Sequence, residues 1–481
     1  GVAHAGGPFY NRPGIRYTDA EIEAAVHAEG CTAAEPALIG AIGHRYPREI
    51  TLDRDALNRW HDAFAGEMRT ARAAHLDDPD ITALFVEAAV TRTPRQLWDL
   101  GAGVPKAGSD VAEGIAVLEQ MLARFPAHPG LLHMHIHALE MSPFPERALI
   151  SADRLRGAAV DAGHMEHMPA HIYVLVGDYA QAVAQSQRAL RADDRYLAHA
   201  GPRNFYTTAR CHDAHLLMYA AMFLGQYRTA LEAADRIDRE ATADLIEWAP
   251  PFMSAILDGY SAMRVHVLVR FGKWEALAAL PPPADPARTP IRAAMHAYGQ
   301  GVALAALGRF HAAHVARARF HRIREGIDPA AIFLSNPIVT MLGVGEAMLE
   351  GELAYHEGDH VRGFDWLRAA VARDDALNYT EPWAWMHPPR HALGALLAEQ
   401  GRFEEAEQVF REDLGLWPGV PRCCQHPDNI WALTGLLECV ARRGESAEAQ
   451  HLRQRLTLAQ ARADEPIRAA CCCRGRGQAA A

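Results

Sequence analysis

Three pairs of histidines stand at helical spacing in one stretch of the chain. In GLLHMHIHALEMSP, His133 and His137 are four residues apart and Glu140 follows three later; in GHMEHMPAHIYVL, His167 and His171 are four apart; in TARCHDAHLLMY, His212 and His215 are three apart. On an α-helix, positions i, i+3, i+4 and i+7 share one stripe, so each phrase offers its ligand atoms to one side. Imidazole is the commonest protein metal ligand, and successive helices that each contribute such a pair build interior metal sites in helical bundles. One such pair alone is usually a pair of surface or satisfied core histidines. Three pairs with a Glu on the same stripe are harder to dismiss, because unpaired buried imidazoles and carboxylates are costly. The spacing therefore predicts a site made of His133, His137, Glu140, His167, His171, His212 and His215. His135 points away from its neighbours' stripe, and His164 and Glu166 are read as partners of the ligands or as exposed groups. Pro169 is expected in the first turn of its helix, with His167 at or just before the helix start. The pattern differs from the zincin HExxH, since no Glu follows the first His directly.

A ligand set dominated by imidazole suits Cu, Fe or Zn, whereas Mg²⁺ and Ca²⁺ prefer oxygen. Cu or Fe would oxidise with O₂, and Zn would hydrolyse through an activated water. The expectation is a metal-dependent enzyme, favoured as an oxidoreductase using O₂, with a metal-dependent hydrolase as the alternative. Two non-catalytic readings stand beside it: a repeat scaffold that binds a peptide or protein partner in its groove, and a metal carrier. Tyr206 lies six residues before His212, close to two helical turns, so it and Glu140 are candidate catalytic residues. A second, soft-ligand site for Zn²⁺ or Cu(I) is conceivable at Cys424, His426, Cys471 and Cys473; reduced thiols are the simpler reading. No phosphate-cradling Gly loop and no CxxCH motif occurs, so neither a nucleotide nor haem is expected.

The elements that must position these groups are helical. Strand-like alternation is scarce, and one phrase recurs: a helix end, Gly, a polar residue, an aromatic, then an Ala-rich helix. It reads LVGDYAQAVAQSQRAL, FLGQYRTALEAADRI, RFGKWEALAAL, ALGRFHAAHVARARF and EQGRFEEAEQVF, with degenerate copies at Gly358 and Gly444. The glycines Gly177, Gly225, Gly272, Gly308, Gly358 and Gly401 are 36 to 50 residues apart, longer than the roughly 34 of a strict tetratricopeptide repeat. The logic is the same: Gly permits the turn, the aromatic wedges between two helices, and Ala allows close packing. The fold class expected is all-α, a tetratricopeptide-like helical-hairpin solenoid curled around a central cavity. Pro-rich breaks divide it into an N-terminal helical region (1–105), His-rich repeats (106–245), further repeats (246–462) and a Cys-rich tail (463–481). The stretch YTEPWAWMHPPRH offers Tyr379, Trp383, Trp385, His387 and His391 as core or cavity wall, and Phe9, Tyr10, Phe205 and Tyr206 are further wall candidates. A small-molecule or peptide substrate would sit in that cavity.

Composition narrows the classes. The 481 residues hold 59 acidic and 48 basic side chains, a net charge of −11, which argues against nucleic-acid binding through a basic surface. Mean hydropathy is −0.14, and no run approaches the roughly 18 to 20 apolar residues of a spanning helix. Of 26 histidines, ten fall between His128 and His215. Eight cysteines without framework spacing point to a reducing, cytoplasmic setting.

Taken in order, GVAHAGGPFYN, HMHIHALEMSP, HMPAHIYVLVGDY, CHDAHLLMYAAMF, EPWAWMHPPRHALGALL and CQHPDNIWAL resemble a family of tetratricopeptide-repeat-like proteins of bacteria and fungi with HxxxHxxE and HMPxHIY motifs. The resemblance covers nearly the whole chain. It implies that an upstream helix pair precedes the first phrase, and it places recurring family residues on His133, His137, Glu140, His167, Pro169, His171, His212 and His215. It also adds Glu87, in LFVEAAV, which by itself reads as a solvated helix residue. With that second carboxylate the set could serve two ions. The biochemical role implied by the family is thin.

Overall fold

The computed structural model describes residues 30–45, 47, 53–444 and 446–474; Phe9 and Tyr10 lie outside them. Among the described residues the protein is all-α apart from two antiparallel ribbons of two-residue strands, β1 (Trp98–Asp99) with β2 (Val104–Pro105) and β3 (Ile332–Phe333) with β4 (Asn336–Pro337). No described helix is long and apolar enough to cross a membrane. The chain forms two compact units, residues 1–159 and 160–481. The division falls inside the His-rich region that the Pro-rich breaks had marked as one piece.

The first unit contains α1 (Glu35–Arg45), α2 (Arg54–Ala74), α3 (Pro79–Thr91), α4 (Val111–Leu122), α5 (Pro129–Leu139) and α6 (Leu149–Leu155). Helix α3 starts where Asp78 accepts a hydrogen bond from the Ile81 amide with Pro79 at its first position, a capped start that needs no donor from proline. It is buried along most of its length, including Phe85, Val86 and Glu87, and packs on α2, α4 and α5.

The second unit runs α7 (Gly163–Val176), α8 (Tyr179–Ala200), α9 (Tyr206–Leu224), α10 (Tyr227–Glu240), α11 (Ala243–Trp248), α12 (Pro251–Ser261), α13 (Arg264–Arg270), α14 (Trp274–Ala278), α15 (Pro290–Ala306), α16 (Phe310–Glu325), α17 (Ile338–His356), α18 (His360–Asp375), α19 (Pro389–Glu399), α20 (Phe403–Asp413), α21 (Ile430–Ala441) and α22 (Ala447–Gln460). Chain neighbours pack most extensively: α7 with α8, α9 with α8 and α10, α15 with α16, α17 with α18, α19 with α20. This is the helical-hairpin stacking of a tetratricopeptide-like array.

The recurrent phrase makes the hairpins. Gly177 ends α7 at φ +83° and Gly225 ends α9 at φ +74°, in the left-handed region where a Cβ is disfavoured. The aromatic that follows Gly177 does the wedging: Tyr179 is buried and stacks on Phe223 at 5.2 Å between ring centroids. Ala182, Ala230 and Ala406 are fully buried, which lets paired helices approach closely.

Helix α17 carries a buried acid with no local compensation. Glu352 is 1% exposed, its Oε2 has no hydrogen-bond partner, and burial pushes its carboxyl up to about 8. The folded state therefore keeps a proton that the unfolded chain releases near pH 4.3, so stability falls as pH rises between those values. Glu352→Gln should be neutral near pH 4 and stabilise increasingly towards pH 8, by on the order of a few kcal/mol. Thermal unfolding of both proteins across that range measures it; parallel pH curves would show that Glu352 is ionised at no cost.

Candidate metal centre

The predicted ligands fall in both units. In the first, α5 holds His133 and His137 on one stripe, their ring centroids 4.7 Å apart, and Glu140 caps the helix with Oε1 2.7 Å from His137 Nδ1. His135 points elsewhere, to Ser151 Oγ at 2.9 Å. Glu87 is not the solvated residue its sequence context suggests. It is buried in α3 and paired with Arg45 at 3.2 Å, and burial outweighs that cation and raises its pKa.

In the second unit, α7 and α9 bring three imidazoles together. His171 Nε2 lies 2.7 Å from His167 Nε2, which lies 2.9 Å from His212 Nε2, and one nitrogen from each ring can converge on a metal ion. The α7 start differs from the sequence expectation. It begins at Gly163, so Pro169 sits inside the helix and His167 is a helical residue one turn before His171. That placement aligns the two rings, at the cost of the backbone hydrogen bond proline cannot make.

The local electrostatics favour an ion. His167 Nδ1 is 3.2 Å from Asp213 Oδ1, an ion-pair contact outside hydrogen-bond geometry. On its other side His167 Nε2 faces two other imidazole nitrogens at hydrogen-bond distance, and a single ring nitrogen makes only one proper hydrogen bond. A cation accepts all three lone pairs at once. Metal–nitrogen bonds of about 2.0–2.1 Å around a tetrahedral ion separate the nitrogens by about 3.3 Å, so the rings need to open by only about 0.5 Å.

Behind Asp213 lies Asp193, within electrostatic reach of it. Burial, and for Asp213 also its neighbour, raises both carboxyls, Asp193 to about 6. Tyr206 Oη donates to Asp193 Oδ1 at 2.9 Å. The tyrosine picked out by its spacing thus bonds to Asp193. Gly163 makes this possible: a Cβ there would overlap Asp193 Oδ1 and Tyr206 Oη. Gly163→Ala should cost about 1–3 kcal/mol in urea unfolding, the usual scale for overpacking, and an unchanged midpoint would show the cradle is loose.

The other sequence candidates separate from this centre. His215 is fully buried against Tyr260, ring centroids 5.4 Å apart, with no hydrogen-bond partner on either nitrogen. Burial, with His212 and His266 nearby, holds its pKa well below the usual range. His164 is half-buried, and Glu166 is taken by Arg188 at 2.6 Å. The soft-ligand set does not assemble: Cys471 and Cys473 are disulfide-bonded to each other, Cys424 neighbours Cys423 with sulfurs 4.0 Å apart, and His426 bonds Asp413. Trp385 packs in the core with His266 and Tyr298, while Tyr379 and Trp383 line a small cavity beside His171.

Sequence reading missed Asp213, although CHDAH contains it, and missed Asp193. It also missed a buried set around Asp413, where His391, His426 and Asn429 converge. Only the histidines carried a signal; Asp413 sits in an ordinary acidic helix end.

No family model matches the chain, and no curated protein matches it. One solved structure similar to it is the crystal structure of the APC/C hetero-tetramer Cut9-Hcn1, at 12% identity over 86% of this chain and 80% of that chain, with a TM-score of 0.28.

Proposed function

We propose that the protein is a transition-metal enzyme on a stack of helical hairpins, with His167, His171 and His212 as ligands and Asp213 orienting His167. The observation that carries this is the convergence of three Nε2 atoms, His171 and His212 lying 2.7 and 2.9 Å from His167. Three protein ligands leave a position open, as catalytic ions require, whereas structural zinc sites are closed by four. An all-imidazole set favours Cu, Fe or Zn. The reaction class proposed is oxidation by O₂, for which Cu or Fe supplies the electron chemistry; Zn in the same ligands would make the protein a hydrolase. The HxxxHxxE and HMPxHIY family resemblance supports the choice of ligands and is silent on the reaction.

Titration of the metal-free full chain with Co²⁺ tests the reading. An open three-imidazole site should give intense four- or five-coordinate visible bands that saturate at about one equivalent. Weak octahedral bands without saturation would contradict it.

A further inference from the structure

Asp413 ends α20 fully buried, and each of its oxygens is taken. Oδ1 lies 2.8 Å from His426 Nδ1; Oδ2 lies 2.8 Å from His391 Nε2 and accepts from Asn429 Nδ2 at 2.9 Å. The His426 ring is also clamped by Phe223, stacked at 4.9 Å and 13°. A carboxylate accepting at Nδ1 fixes the tautomer and leaves the lone pair on Nε2. This is an imidazole held in one plane and one protonation pattern.

His426 forms one wall of a cavity of about 20 Å³ whose other walls include His171, Tyr219, Thr380, Glu381 and Cys423. That volume holds one water. A ligand of the proposed ion and an oriented base therefore border the same water-sized space.

We propose that His426 is the proton-transfer residue of the metal centre, acting on a water-sized ligand held between His171 and His426. The inference rests on the three-histidine reading above. In the forward step an O–H bond of the ligand breaks, its electron pair stays on oxygen, and the proton bonds to His426 Nε2. The imidazolium so formed is neutralised by the Asp413 carboxylate, and the reverse step returns the proton. No oxidant or further reactant is needed.

Azide binding to the Co²⁺-loaded full chain, followed by visible absorption, tests this. His426→Asn removes an imidazole that lines the cavity and keeps an amide to meet Asp413. Azide should be taken up together with one proton, which His426 Nε2 accepts and donates back to the anion, so in the variant azide affinity should fall about 10- to 100-fold, the scale of one charge-assisted hydrogen bond, with Co²⁺ stoichiometry unchanged. Equal azide affinity in variant and wild type would overturn the role of His426 and leave the ligands standing. If the variant does not fold, Cys423→Met narrows the cavity from another of its lining residues without replacing Asp413 or His426, and unchanged azide affinity there overturns the proposal equally. A wild-type chain that takes up no Co²⁺ overturns both the ligand set and this inference; one that takes up Co²⁺ without responding to azide overturns this inference alone.

Discussion

His171→Ala should reduce the metal bound by the full chain to background while leaving its helical circular dichroism intact. His171 contributes one of three converging nitrogens, 2.7 Å from its neighbour, and without it two imidazoles remain. Changing only an outer partner of a ligand typically costs 10- to 100-fold in metal affinity, so losing a ligand should cost more than about 100-fold. Helix α7 tolerates the change, since Ala is the best helix former and the ring's removal opens a small space beside an existing cavity. Asp213→Asn provides the graded comparison: His167 keeps its place but loses the carboxyl group 3.2 Å from its Nδ1, and affinity should fall within the 10- to 100-fold range. Equilibrium dialysis with Co²⁺ or Zn²⁺ measures both. Undiminished binding in His171→Ala would place the ion elsewhere.

Asp413→Asn should destabilise the protein by about 3–5 kcal/mol at pH 7, the cost of removing one member of a buried ionic set. The carboxylate is the only acid among Arg270, His391, His426 and Asn429. Arg270 is itself buried, pushed down to about 9 by desolvation, and packs 4.0 Å over the Trp431 ring while meeting His391 Nδ1 at 2.5 Å. Burial alone would raise the Asp413 pKa, but His391 and His426, through their hydrogen bonds and through the charge each carries when protonated, outweigh it and hold the carboxyl well below its ordinary value. A depressed folded-state pKa contributes stability that is present above the unfolded value near 3.9 and is lost as pH falls towards the folded one. The gap between variant and wild type should accordingly be full at pH 7 and shrink below about pH 4. Denaturant unfolding at several pH values checks this; a gap under about 1 kcal/mol at pH 7 would mean the set is solvated rather than buried.

The fold was legible wherever a local rule was sufficient. The Gly–x–aromatic phrase marks hairpin turns because positive φ and a wedged ring are local demands, and Gly177 with Tyr179 meets both. The shared faces of His133 with His137 and of His167 with His171 were legible for the same reason: i, i+4 spacing sets them whatever surrounds the helix. What escaped was long-range. Asp213 matters because α7 lies against α9, Asp193 because Gly163 leaves room for it, and Asp413 because α19 and the segment before α21 converge on its two oxygens. None of these has a spacing signature. His215 packs apart from His212 because an i, i+3 pair on a largely buried helix divides between two neighbours, and His215 meets Tyr260. Cys471 pairs with Cys473, its neighbour along the chain, rather than with Cys424 and His426.

The most direct measurement is elemental analysis of the untagged full chain, purified without chelators, beside a variant with His167, His171 and His212 all replaced by Ala. The account predicts about one Cu, Fe or Zn per wild-type chain and background metal in the variant, with the same circular dichroism for both. Equal metal content in the two proteins, or background levels in the wild type after reconstitution with each ion, would contradict it.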